Sequence, residues 1–136
     1  MNNKLDKILA EISAGELFDK ITILEIKQAK ISNKEKLNNI EKELNSLKET
    51  MKGFVLDHDK IIKHVDDLKK INLKLWDIED GKRAAEKNND FGEKFIELAR
   101  NVYKFNDERA KIKLAINNIL GSNIKEVKSY KYSITF

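Results

Sequence analysis

Three short stretches of this chain set ionisable groups among apolar ones. Glu16, Asp19, Lys20 and Glu25 lie in GELFDKITILE, and Trp76, Asp77, Glu79 and Asp80 lie in LWDIED. Glu97, Arg100, Tyr103, Asp107 and Arg109 follow between positions 97 and 109. Carboxylates, cations and a phenol so placed support two kinds of chemistry. In the first, opposite charges pair between helices and fix their register, because buried charges need partners. In the second, Arg100, Lys20 and Tyr103 grip an anionic ligand while carboxylates orient a metal or a sugar hydroxyl. Arg100, Tyr103 and Asp107 stand at i, i+3 and i+7, on a helix face that also carries Ile96. Both readings stay open on the residues alone.

Other chemistries lack their residues. With no cysteine, disulfides, thiolate nucleophiles and cysteine-ligated metals are excluded. No glycine-rich phosphate loop is present, and no zinc-ligand spacing. His58 and His64 are six residues apart, share no helix face and read as surface residues. No Glu-x-x-His pair supports a di-iron bundle site. Glu79, Asp80, Glu97 and Asp107 could ligate magnesium in an all-α nucleotide pyrophosphatase. Their spacing does not match the paired Glu-Glu and Glu-x-x-Asp arrangement of such enzymes. No catalytic residue, metal or cofactor is therefore assigned, and enzymatic activity is left undecided.

Composition narrows the class. The 136 residues are 37% charged and 40% hydrophobic, with five glycines and no proline, which fits long helices better than a β-sandwich. The net charge is +4, yet lysines alternate with Glu and Asp along nearly every segment, as on solvated helix faces. Nucleic-acid binding is therefore not expected. Arg83, Arg100 and Arg109 are the only arginines among 27 basic residues, so each suggests a need for the planar guanidinium fork. No apolar run is long enough to cross a membrane. Lys4, Asp6, Lys7 and Glu11 interrupt any signal-peptide core, so a cytoplasmic location is expected.

The elements that must position these groups are helices. Over residues 13–31, Ala14, Leu17, Ile21, Leu24 and Ile31 form one stripe, while Ile23 and Ile26 fall opposite it. A helix apolar on nearly all sides is buried between neighbours. Ser13 with Glu16 forms a capping box at its start. The β-branched run Ile21-Thr22-Ile23 is the feature that argues for a strand instead. Ser32 with Glu35 marks a second start, followed by Leu37, Ile40, Leu44, Leu47, Met51 and Phe54 at heptad spacing, a coiled-coil-like seam. A third helix carries Ile61, Val65, Leu68, Leu75 and Ile78, weakened at Gly81. Asn88-Asn89-Asp90 makes a turn. Asp90 with Glu93, and Phe91 as a staple, open a fourth helix that stops at Gly121. Ile8, Ala10 and Ile12 alternate with Leu9 and Glu11, which reads as a short strand or equally as the first turns of a frayed helix. Tyr130, Tyr132, Ile134 and Phe136 alternate with Lys131, Ser133 and Thr135, the pattern of a strand.

The stretches GELFDKITILEIK, LWDIED, DFGEKFIELARNVYKFNDER and GS…KEVKSYKY resemble a family of short bacterial proteins carried as domain of unknown function 6165. The resemblance covers most of the chain and keeps the motif order, whereas residues 32–72 look generic. The chain is richer in lysine than the family's pattern. Family members tend to occur beside glycosyltransferase genes for polysaccharide or lipopolysaccharide. The resemblance thus implies an accessory role near nucleotide-sugar or glycan chemistry. It singles out Glu16, Asp19, Lys20, Trp76, Asp77, Glu97, Arg100, Tyr103, Asn106 and Asp107 as a ligand-binding or structural polar network.

The combined expectation is one all-α domain over 1–136, an elongated four-helix bundle with helices at about 14–31, 33–53, 58–87 and 91–120. The last two form a long antiparallel hairpin against which the first is sandwiched, and 1–12 and 122–136 are strand-like termini that can pair. The leading functional expectation is a non-enzymatic, homo-oligomeric cytoplasmic interaction module, a homodimer that leaves room for another protein partner and makes no membrane contact. The alternative is a small enzyme or binding protein for a phosphorylated or nucleotide-sugar ligand, accessory to polysaccharide biosynthesis.

Overall fold

In a computed structural model, residues 5–54 and 58–130 are described. Four helices follow in order: α1 Ala14–Lys30, α2 Lys34–Lys52, α3 His58–Lys87 and α4 Glu93–Leu120. The fold is an all-α helical bundle, and no strand occurs among the described residues. The β-branched run 21–23 is helical, because its side chains are held by packing that outweighs a propensity cost of a few tenths of a kcal/mol.

α1 is the hub. It contacts α2, α3 and α4, whereas α2 packs along α1 alone among the helices. One side of α1 places Leu17, Ile21 and Leu24 against Ile40 and Leu44 of α2. The other places Phe18 against Ile61 and Leu68 of α3 and Ile116 of α4. Each such side chain contributes about 1.5–3 kcal/mol by leaving water. Met51, at the end of α2, touches both clusters. The heptad seam of α2 thus packs as its spacing requires, except that Phe54 lies beyond the helix end and is exposed.

α3 and α4 form the long antiparallel hairpin. Asn72 faces Arg109, Lys74 faces Phe105, and Gly81 faces Leu98. Gly81 does not break α3. A Cβ there would meet Leu98 Cδ1 at 3.1 Å, so the missing side chain permits close approach of the helices. The hairpin turn closes through Asp90 N–H to the Ala85 carbonyl at 2.9 Å, with Asn89 in the left-handed region at φ 53. Phe91 packs edge-on against Phe95.

Two starts differ from the capping patterns. Asn33 caps α2 by accepting from Lys36 N–H, in place of Ser32. Gly92 occupies the N-cap of α4 without a side-chain bond, while the Asp90 carboxylate accepts from Gly92 N–H and shapes the turn. Residues 8–12, read as a short strand or a frayed helix start, are neither. This segment meets the tail through a side-chain bond from Asn123 to Glu11 and has no backbone ladder. Tyr132, Ile134 and Phe136 of the other expected strand lie outside the described residues. No helix among the described residues is long and apolar enough to cross a membrane.

Candidate functional site

The N-terminus of α1 meets the C-terminus of α4 at backbone distance. Gly15 makes this possible: a Cβ on it would lie 2.5 Å from the Lys113 carbonyl oxygen. At this contact the first N–H groups of α1, which have no partner within the helix, are taken up in turn. Ala14 N–H donates to Ser122 Oγ at 3.1 Å, Gly15 N–H to Asn117 Oδ1 at 2.6 Å, and Glu16 N–H to Ser13 Oγ at 3.1 Å. Gly121, at φ 64, turns the chain so that Ser122 comes back over α1.

Beside this contact lies a buried cation. Lys113 has a side chain only 8% exposed. Its ammonium donates to Glu16 Oε2 at 2.8 Å and pairs with Glu126 Oε2 at 3.0 Å. Asp19 Oδ2 is 3.8 Å away. Asp19 in turn accepts from Asn72 Nδ2 at 2.9 Å, and the same amide nitrogen donates to Thr22 Oγ1 at 3.0 Å. Arg109 Nη1 donates to Asn72 Oδ1 at 3.2 Å. Three helices and the tail therefore share one network, and every fully enclosed side-chain nitrogen and oxygen among the described residues has a partner.

Burial opposes ionisation of Glu16. The Lys113 hydrogen bond and the charges of Lys113 and Lys20 outweigh it and hold the Glu16 carboxyl below its usual range. Burial likewise opposes the Lys113 ammonium. Its bonds to Glu16 and Glu126, with the charges of Asp19 and Glu16, outweigh that and raise its pKa. A lysine so held keeps its proton at neutral pH and is a poor nucleophile or base. The network ties α1, α3, α4 and the tail to one another.

The residues singled out in the sequence divide between this network and a separate region. Glu16, Asp19 and Lys20 belong to the network, Lys20 through a 3.6 Å pair with Glu16. Arg100 is thirteen residues from Lys113 along α4, about 20 Å at 1.5 Å per residue. Asp77, Glu97, Arg100 and Tyr103 are exposed, and Trp76, Asn106 and Asp107 are half-buried. None of these seven side chains makes a hydrogen bond or ion pair with another described residue. Arg100 and Tyr103 are thus not gathered with Lys20 around one anion.

Two clefts lie near the network end. One of about 490 Å³ is walled by Leu17, Phe18, Phe54 and Leu120. The other, about 270 Å³, lies between Ala110, Lys113 and Leu114 of α4 and residues 125–128. Neither contains Arg100. No group of three or more metal-ligating side chains converges among the described residues.

Lys113, Asn72, Thr22, Asn117 and Ser122 were not indicated by sequence reasoning. Their signal was positional. Lys113 and Asn117 flank Ile116 within the apolar run Ile112, Leu114, Ile116, and Asn72 follows Leu68 and Ile71 on a core-facing surface.

The comparisons agree with the resemblance in the motifs. The model of a family of unknown function, DUF6165, matches residues 8–136, and the chain belongs to that family. No curated protein and no solved structure matches it.

Proposed function

We propose that this member of DUF6165 is a non-enzymatic, homo-oligomeric helical interaction module working in the cytoplasm, with the α3–α4 hairpin beyond α1 as its contact arm. The observation that carries this reading is the division of the polar groups. Those at the hub are consumed by one another, whereas on the arm, apart from the Arg83–Glu79 pair, Asp77, Glu97, Arg100, Tyr103 and Asp107 have no side-chain partner among the described residues and are interleaved with exposed Phe91 and Ile96. Unpartnered polar groups around exposed apolar side chains suit a protein surface. A small anionic ligand would need a concavity around Arg100. The absence of cysteine from the sequence is compatible with a reducing compartment.

The test is thermal unfolding against nucleotide sugars, nucleotides and sugar phosphates, with and without Mg²⁺. Ligand at a hundred times its dissociation constant stabilises by about 2.7 kcal/mol, a shift that unfolding resolves easily. No shift across the panel is the expected result. A shift that disappears in a folded Arg100→Lys variant overturns the reading and establishes a nucleotide-sugar or phosphate site.

A further inference from the structure

One flank of α4 is self-complementary. Ile96, Tyr103 and Ala110 recur every seven residues, and Arg100 and Asp107 border the same flank on one side. Ile96 is 48% and Tyr103 57% exposed. Neither Arg100 nor Asp107 has an ionic partner among the described residues, although charged neighbours are plentiful. Position 103.5 is the midpoint between Arg100 and Asp107. A two-fold axis at that level, crossing an antiparallel pair of α4 helices, brings Arg100 of each copy level with Asp107 of the other, on the same side. It also sets the two Tyr103 rings near each other and brings Ile96 to the level of Lys111, one residue from Ala110. There the 270 Å³ cleft, walled by Ala110 and Leu114, offers an apolar recess.

Resting on the interaction-module reading, we propose that the partner of the arm is a second copy of this chain, joined through antiparallel α4 helices about a two-fold at Tyr103. Arg100 of each copy pairs with the second copy's Asp107, and Ile96 enters the second copy's cleft. Such an isologous contact uses the same patch twice, so two charge pairs and two apolar insertions come from one helix face. It explains why an arginine stands at 100 in a chain whose cations are nearly all lysine, since its fork can pair with a carboxylate bidentately.

Sedimentation velocity across micromolar to submillimolar concentrations tests the pairing. Wild type is expected to shift from monomer to dimer. Arg100→Asp and Asp107→Arg should each weaken association by at least about tenfold, as like charges then face each other. The double variant, Arg100→Asp with Asp107→Arg, should restore it. Arg100 is exposed and Asp107 half-buried with no side-chain partner among the described residues, so circular dichroism should show unchanged helicity. Association that ignores the single reversals, or is not restored in the double variant, overturns this interface and leaves the interaction-module reading standing on another surface. A wild type that stays monomeric throughout overturns the second copy as partner, while the ligand panel decides the broader reading separately.

Discussion

The α3–α4 hairpin is one pair of helices with two different halves. Over the half that α1 covers, Asn72, Lys113 and Asn117 bond to groups of α1, and Arg109 bonds to Asn72. Over the half beyond, Asp77, Glu97, Arg100 and Tyr103 point to solvent with no described partner. The two halves have similar residue types, so composition does not set the difference. The presence of α1 does. Where α1 lies against the hairpin it removes water, and each polar group there must find a partner or cost about 1–3 kcal/mol. Where α1 is missing, water satisfies the same groups, and they remain available to another surface.

Four perturbations bear on this contrast. The largest effect is expected for Lys113→Met, which leaves buried Asp19 without its cation and Glu16 with Lys20 alone. Urea unfolding should show a loss of about 3–5 kcal/mol, typical of breaking a buried pair. Asn72→Leu removes donors from Asp19 and Thr22 and the acceptor for Arg109. About 1–3 kcal/mol should be lost by the same measurement, the cost of buried groups left unpaired.

Proton linkage should then show the network from both sides. Glu16 has a depressed pKa, so its contribution is complete above the ordinary glutamate value of about 4.3 and is lost as pH falls through the depressed one. Lys113 has a raised pKa, so its contribution is complete below about 10.4 and is lost as pH rises through the raised value. Stability against pH should therefore fall at both extremes, and Lys113→Met should flatten both limbs. The smallest effect is expected on the arm: Arg100→Ala should change monomer stability by less than about 0.5 kcal/mol, as surface substitutions usually do. A large loss there would erase the contrast between the halves.

Helix boundaries were legible because their signals are local. Ser13 accepts from Glu16 N–H as its capping box implies, and Gly121 ends α4 in the left-handed conformation. The burial of α1 on several sides was legible too, since Ile26 is buried on the face opposite Ile21 and Leu24. The site was only half legible. Glu16 and Asp19 stood out as acids in an apolar helix, but their cation did not. In a chain so rich in lysine, Lys113 has no distinctive residue type, and the scarcity of arginine drew attention to Arg100 instead. Only the close approach at Gly15, a relation between residues about a hundred positions apart, separates Lys113 from the other lysines. Asn33 replaced Ser32 as the cap of α2 because the two are adjacent and either suits the role, so the choice rests on backbone geometry.

Amide hydrogen exchange along α4, at a concentration low enough to keep the chain monomeric, tests the contrast most directly. Amides near residues 109–117, under α1, should open only with global unfolding, while those near 94–102 should exchange through smaller local openings and far faster. Uniform protection along α4, or slower exchange in the arm than beneath α1, would contradict the account.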